Sequence, residues 1–211
     1  MEQTWHNRSL IPSGEARLVG WSRSMLYSGF MTLPRSIVRS AGFARRWDNL
    51  DVMQLKRETH MTTIQGDLIK LALDGKFDVI IHGCNCQCTM GAGIAKTIKT
   101  IFPEAYDADL ETAKGDREKL GTISAATVER DGHEITVVNG YTQFHYRGKG
   151  VLADYDAIRS VMNAVKSQFS GKRIGYPKIG AGLAGGDWEQ IVSVIDDELK
   201  GEDHTFVEFA A

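Results

Sequence analysis

The sequence has little of several features that would point to particular classes of protein. Of its 211 residues only three are cysteines and four are prolines. The cysteines stand close together, at positions 84, 86 and 88, and their number is odd. Such spacing excludes the disulfide framework of a small secreted domain and favours a reducing, cytoplasmic compartment.

Long apolar runs and an excess of one charge are also missing. No stretch comes near the roughly 18 uninterrupted apolar residues of a membrane-spanning helix, so we expect no membrane partner. A formal net charge of −2 gives no general case for nucleic acid or an anionic lipid surface as a partner. Hydrophobic residues make up 42% and charged residues 25% of the chain. These values are typical of a soluble globular protein, and the length suits one domain, which we expect to be monomeric.

Residues 1–60 differ in composition from the rest of the chain. They hold eight arginines and one lysine, whereas residues 61–211 hold five arginines and eleven lysines. Three interpretations stay open: an organellar transit peptide, a basic arm for nucleic acid, or a poorly ordered extension that could include sequence upstream of a start at Met61. We favour the third interpretation, with residues 1–60 as an extension and residues 61–211 as the domain.

From Thr62 onward the pattern predicts alternating strands and helices. β-Branched apolar runs predict strands, and apolar residues three and four positions apart predict helices. The predicted elements are a strand at 62–65, a helix at 68–73, a strand from 79, helices at 93–102 and 104–114, a hairpin of 121–128 and 134–141, a helix at 154–169, a strand at 173–177, a helix at 188–199 and a strand at 205–209. Alternation with one hairpin predicts an α/β fold, with a mixed central sheet between two helical layers. Asp67 and Asp187 are expected to cap the helices that follow them.

The stretch from Phe77 to Phe102 carries the strongest functional signal. A buried strand leads into the glycine loop Met90-Gly91-Ala92-Gly93, and a helix is predicted to follow. A helix N-terminus offers unpaired N–H groups, and glycines let the backbone approach a phosphate closely. A second loop of this kind, Ile179 to Gly186, also stands between a strand and a helix. Ligands of such sheets bind at the carboxyl ends of the strands, so the two loops predict a paired cradle for a diphosphate.

On these motifs residues 61–211 resemble the macro domain family, whose members bind ADP-ribose. Four features carry the resemblance: Gly66-Asp67 after the first strand, Asn85, the loop Met90 to Ala95, and the loop Ile179 to Leu183. The run Ile81-His82-Gly83-Cys84-Asn85-Cys86 is similar to a divergent branch of the family. That branch contains the ADP-ribose 1''-phosphate phosphatases and the glutamyl-ADP-ribose hydrolases. The resemblance does not extend to residues 1–60.

The resemblance implies roles for the matched residues. Asp67 would accept a hydrogen bond from the adenine amino group, Asn85 would lie beside the distal ribose, and His82 would take part in hydrolysis. The expected ligand-binding residues are Asp67, Leu68, Gly83, Asn85, Met90, Gly91, Ala92, Gly93, Ile94, Phe144, Gly180, Ala181, Gly182, Leu183, Ala184 and Gly185.

The loop from Phe144 to Gly150 is polar, aromatic and punctuated by glycine. We expect Phe144 and Tyr146 to flank the distal ribose. His145 is a second candidate acid–base, which makes the expected catalytic set His82, Asn85 and His145.

The implied activity is hydrolysis of ADP-ribose 1''-phosphate to ADP-ribose and phosphate. One alternative is removal of ADP-ribose adducts, by an ADP-ribosyl hydrolase or an O-acetyl-ADP-ribose deacetylase. The other is a non-catalytic reader of ADP-ribosylated macromolecules. The hydrolase type carries a lysine after the hairpin and an aspartate after the second loop's Gly-Leu. Here the hairpin ends Tyr141-Thr142-Gln143 without that lysine, and Ala184 follows Gly182-Leu183. Both differences count against a lysine-dependent mechanism, although Asp187, three residues on, is an alternative for the aspartate.

The histidine and cysteines of the central stretch alternate, at positions 82, 84, 86 and 88. In an extended chain they would share one face. Zinc sites usually combine Cys-x₂₋₄-Cys with a second pair of ligands elsewhere, and no such pair is evident. We therefore predict packing thiols, with neither a metal nor a cofactor.

Overall fold

The structure, a computed structural model, describes residues 61–209. The predicted extension over residues 1–60 lies outside the described residues. The strands are β1 (Thr62–Gln65), β2 (Val79–Asn85), β3 (Ile123–Arg130), β4 (His133–Gln143), β5 (Arg173–Tyr176) and β6 (Asp203–Glu208). The helices are α1 (Leu68–Leu73), α2 (Gly93–Ile101), α3 (Pro103–Leu110), α4 (Tyr155–Phe169) and α5 (Trp188–Glu198), with a 3₁₀ turn at Arg117–Lys119.

The six strands form one mixed sheet in the order β1-β6-β5-β2-β4-β3. The neighbours from β1 to β4 are parallel, and only β3 runs antiparallel to its partner, β4. The parallel strands therefore end at the same edge of the sheet, which is where ligands bind in α/β folds.

Helices cover both faces of the sheet, because each face presents apolar side chains that must be buried. Helices α4 and α5 pack on one face through residues such as Ile158, Val161 and Ile191. Helices α1, α2 and α3 pack on the other through residues such as Ile69 and Ile98. The predicted three-layer α/β/α architecture is confirmed.

The helix caps agree with the prediction, but one helix is shorter than predicted. Asp67 and Asp187 cap α1 and α5 as predicted. The helix predicted over 104–114 ends at Leu110, because the hydroxyl of Thr112 donates to the carbonyl of Asp109 at 2.6 Å and the chain then turns through Gly115 at φ +76°. Among the described residues no helix has the length and apolar character needed to cross a membrane.

Candidate ligand-binding cleft

A cleft of about 890 Å³ runs along the carboxyl edge of the sheet. It is lined by the ends of four adjacent strands: Phe206 to Phe209 at β6, Pro177 to Ile179 after β5, Gly83 and Asn85 of β2, and Thr142 and Gln143 of β4. Three strand spacings of about 4.8 Å make this floor roughly 14 Å long. The shape suits an extended ligand that lies across the strands.

The first glycine loop brings an open helix N-terminus to the cleft. Residues 91–95 line it, and helix α2 begins at Gly93. Ala92 stands at the N-cap position with φ −148° and supplies no side-chain hydrogen bond. The first N–H groups of a helix have no intrahelical partner and carry the positive end of its dipole. This loop therefore has the properties of an anion site.

Asn85 lines the cleft and also holds the first loop in shape. Its Oδ1 accepts from the amide of Gln87 at 3.0 Å, and its Nδ2 donates to the carbonyl of Thr89 at 2.8 Å. The side chain is buried, with 8% of its surface exposed. The structure thus gives Asn85 a positioning role in addition to its place on the cleft floor.

The second glycine loop reaches the cleft differently. Gly180, Gly182, Leu183 and Ala184 line it. The N-terminus of α5 lies just beyond, but Asp187 Oδ1 already accepts from the amides of residues 189 and 190 at 2.9 and 3.3 Å. This loop can therefore offer its own backbone to a ligand, whereas its helix has its first N–H groups occupied.

Gly180 shows why the second loop needs glycine. Its φ is +71°, a left-handed conformation that side chains rarely adopt. A Cβ there would also lie 3.0 Å from Ile158 Cδ1 and 3.1 Å from Ile191 Cδ1. The loop is pressed against helices α4 and α5, which gives the cleft a firm wall.

His82 does not line the cleft. Its side chain is fully buried on the opposite face of the sheet, and its Nε2 lies 2.8 Å from Asn139 Oδ1. Because Asn139 Nδ2 donates to Ala105 O and Ser124 Oγ, its Oδ1 is the acceptor and His82 Nε2 carries the proton. Burial lowers the pKa of His82 to about 4, although the Asn139 hydrogen bond and Asp109 act in the other direction. The imidazole is therefore neutral at neutral pH and out of reach of a ligand in the cleft.

A buried ionic cluster continues from His82 beneath the first loop. Lys119 Nζ lies 2.8 Å from Asp109 Oδ1 and donates to Cys88 Sγ at 3.2 Å. The hydroxyl of Tyr141 donates to the same Asp109 oxygen at 2.9 Å and contacts Ser124 Oγ at 2.7 Å. Desolvation would lower the pKa of Lys119, but its hydrogen bonds to Asp109 and Cys88 raise it above the ordinary value. Through Cys88, the cluster links the segment just before the first loop to helix α3 and strand β4.

The cysteines belong to this buried layer. Cys84 and Cys86 pack with Met90 and Tyr141, and all three cysteines are free thiols. Burial raises the pKa of both the Cys84 and the Cys86 thiol. Among residues 61–209 no group of three or more His, Cys, Asp or Glu side chains is arranged to hold a metal ion.

Several other predicted residues lie outside the cleft lining. Leu68 and Met90 are buried in the core, and Phe144 packs against the layer of Cys84 and Tyr141. His145 is exposed, and its Nδ1 accepts from the amide of Arg147 at 3.1 Å. Three further predicted ligand-binding residues do not line the cleft: Asp67, Ala181 and Gly185.

Asp67 lies close to the β6 end of the cleft. Its neighbour Gly66 donates its amide to the carbonyl of Glu208 at 2.9 Å, and Glu208 lines the cleft. One carboxylate oxygen, Oδ1, accepts both capping bonds of α1, at 2.8 and 3.2 Å. The backbone of Asp67 is therefore one residue from a direct contact with this end of the floor.

The sequence prediction missed cleft residues on three elements. Those at or just after a strand end are Thr142, Gln143, Arg147, Pro177, Lys178, Phe206, Val207, Glu208 and Phe209. Thr89, directly before the first loop, also lines the cleft and was not predicted. Tyr146, which we expected beside the ligand, does line the cleft. The only available signal for the others was their position directly after predicted strands.

Comparison with known proteins gives a consistent picture. The sequence pattern of the family described as Macro domain matches residues 81–195. An uncharacterized 17.5 kDa protein of Enterobacteria phage T4, from the tk-vs intergenic region, is 36% identical over 138 residues, which cover 63% of this chain and 86% of the phage protein.

Several relatives carry functional names, among them a phosphatase and a glycohydrolase. The ADP-ribose 1''-phosphate phosphatase of Candida albicans is 27% identical over 143 residues, covering 64% of this chain and 90% of the relative. The ADP-ribose glycohydrolase OARD1 of Bos taurus is 25% identical over 148 residues, covering 69% of this chain and 88% of the relative.

Solved structures share the fold. The macrodomain of Mycobacterium tuberculosis DarG superposes with a TM-score of 0.54 at 21% identity, covering 72% of this chain and 97% of that one. Thermosipho africanus DarTG, solved in complex with ADP-ribose, gives a TM-score of 0.55 at 20% identity and covers 71% of this chain and 42% of that one.

The buried His82 predicts an acid-sensitive fold. The unfolded chain binds a proton at His82 near pH 6.5, whereas the folded state resists it down to about pH 4. The free energy of unfolding should therefore fall by about 1 kcal/mol per pH unit between these values through this residue alone. In His82→Gln, which keeps a donor for Asn139, chemical denaturation from pH 7 to 4 should show a shallower loss. Equal slopes in the two proteins would contradict this assignment.

Proposed function

This chain belongs to the macro domain family, and from that premise we propose that it binds ADP-ribose and hydrolyses ADP-ribose 1''-phosphate. The cleft supports the first part, because it joins an open helix N-terminus to a glycine loop across the sheet edge. The diphosphate would lie between the two loops. Relatives named ADP-ribose 1''-phosphate phosphatase and ADP-ribose glycohydrolase agree with hydrolysis in general.

The direction of the ligand follows from the two ends of the cleft. Asp67 and Phe209 stand near the β6 end, where a carboxylate can accept from the adenine amino group and an aromatic ring can stack. The diphosphate then occupies the middle, and the distal ribose reaches Asn85 and Gln143 at the ends of β2 and β4.

The charge at the β4 end favours a phosphate on that ribose, and this observation carries the choice of substrate. Arg147 lines the cleft there, next to Tyr146. The only carboxylate that lines the described cleft is Glu208, at the opposite end. A guanidinium binds the oxygens of a phosphate through charge-assisted hydrogen bonds. Such a site gains more from a 1''-phosphate than from an uncharged 1''-hydroxyl.

The loop after β4 would supply a hydrogen-bond donor to the leaving oxygen. His145 is exposed beside Arg147, and its Nδ1 accepts the Arg147 amide, so the neutral ring carries its proton on Nε2. In the proposed reaction a water attacks phosphorus and the bond between phosphorus and the oxygen on C1'' breaks. The proton that the water loses passes to that oxygen, and the Nε2–H of His145 would donate a hydrogen bond to it as negative charge develops there. Arg147 and the amides of the first loop would stabilise the charge that develops on the phosphoryl oxygens.

Binding should depend on Asp67 in a way that separates adenine recognition from helix capping. In Asp67→Asn, Oδ1 can still cap α1, but the second acceptor is replaced by an amide donor. Calorimetric titration with ADP-ribose should show an affinity about tenfold lower, since one hydrogen bond to the adenine is exchanged for a mismatch. The melting temperature of the free protein should stay near that of the wild type. An unchanged affinity would remove Asp67 from the adenine site.

Arg147 should distinguish the two ligands. In Arg147→Gln the affinity for ADP-ribose 1''-phosphate should fall by about tenfold or more, because a charge-assisted bond is lost. The affinity for ADP-ribose should change little. Lys172→Gln, in the exposed turn after α4 and outside the cleft lining, is the matched control for loss of one positive charge. An equal loss for both ligands would contradict a phosphate site at Arg147.

Turnover decides between enzyme and reader. We expect release of inorganic phosphate from ADP-ribose 1''-phosphate, reduced about 100-fold in His145→Ala through loss of the donor to the leaving oxygen. The rate should be retained in His82→Gln, since the His82 side chain is fully buried against Asn139. Release of ADP-ribose from an ADP-ribosylated protein would favour the hydrolase alternative instead. Tight binding without either reaction would favour the reader.

A further inference from the structure

Strand β4 carries one more residue than its neighbour at the cleft floor. β2 and β4 pair in regular register as far as Cys84 and Tyr141, and the pairing resumes with Asn85 opposite Gln143. Thr142 is therefore the extra residue of a β-bulge. Bulges re-aim a side chain locally and are frequent beside functional sites. This one places the Thr142 side chain at the edge of the cleft.

The hydroxyl of Thr142 is buried and unpaired. Thr142 lines the cleft with 1% of its surface exposed, and its Oγ1 has no hydrogen-bond partner among the described residues. Most buried hydroxyl groups in folded proteins have a partner, so an exception calls for an explanation. A ligand in the cleft would supply the missing partner.

Gly83 leaves open the space in front of this hydroxyl. A Cβ at position 83 would lie 2.8 Å from Thr142 Oγ1 and 3.4 Å from Ile179 Cγ2. The backbone of Gly83 is not left-handed, so the chain conformation does not itself require glycine there. The absence of a side chain instead keeps the space between Gly83 and the Thr142 hydroxyl free of a protein atom.

We infer that the Thr142 hydroxyl donates a hydrogen bond to the ligand atom that lies over Gly83. This inference rests on the proposed function, under which that atom is an oxygen of the distal ribose. The β6 end takes the adenine and the two loops take the diphosphate, which leaves the ends of β2 and β4 for the distal sugar. The Thr142 backbone is held independently, because its carbonyl accepts from the amide of Asp154 at 2.9 Å.

The test compares two ligands that differ only in the distal ribose. Calorimetric titrations with ADP-ribose and with ADP are carried out on the wild type, Thr142→Val and Thr142→Ser. Valine keeps the branched shape without the hydroxyl, and serine keeps the hydroxyl. We expect Thr142→Val to weaken ADP-ribose binding about fivefold, as for loss of one hydrogen bond, with ADP affinity unchanged. Thr142→Ser should bind both ligands close to wild type.

Melting temperatures separate a contact with the ligand from a structural role. Free Thr142→Val should melt at or above the wild-type temperature, since the variant removes an unpaired buried hydroxyl. Thr127→Val, in the exposed part of β3, is the matched control and should leave both affinities unchanged.

Three outcomes would overturn the inference. The first is ADP-ribose affinity in Thr142→Val equal to that of the wild type. The second is an equal loss for ADP and ADP-ribose, which would place the contact on the diphosphate. The third is a wild type that binds neither ligand, and this result alone would remove the proposed function as well.

Discussion

The alternation of side chains along β2 decides what each residue of the central strand can do. Neighbouring side chains of a strand point to opposite faces of the sheet. Ile81, Gly83 and Asn85 face the layer of α4 and the cleft, whereas Ile80 and His82 face the other helices and the buried polar cluster. A slip of one residue along β2 would turn Asn85 away from the cleft and His82 toward the layer of α4. The cleft depends on this register.

The buried cluster under the first loop explains how a glycine-rich segment can keep a defined shape. Lys119 and Asp109 are both almost fully buried and bonded to one another and to Cys88 and Tyr141. Removing one member of such a pair typically costs about 3–5 kcal/mol, because the other charge stays buried. Asn85 ties the same loop from the cleft side. The anion site is thus held before any ligand arrives, which reduces the entropic cost of binding.

The sequence predicted the order of all the strands and helices, both glycine loops and the mixed sheet, because these follow from local periodicity. It placed His82 and Asn85 together at the reacting phosphate, although they are three residues apart on one strand and so face opposite sides. The alternation of side chains along this strand is evident in the sequence, but the prediction for His82 followed the family motif instead. Thr142 and Phe209 could not be found this way, since a bulge and the pairing of distant strands are tertiary facts.

At the β4 end of the cleft, substitutions can alter ligand specificity without destabilising the fold. The second loop packs against α4 and α5, and Cys88, just before the first loop, is bonded to Lys119 of the buried cluster. Under the proposed function these two loops would hold the diphosphate, which all ADP-ribose derivatives share. Residues 145–150 are exposed and support no core. At the end of β4 this chain presents Gln143 and Arg147, an amide and a cation, in place of a nucleophilic amine. A neutral amide cannot form a covalent adduct with the ribose. Under the proposed function a water would therefore be the nucleophile, and the charge of this loop would favour a phosphate on C1''.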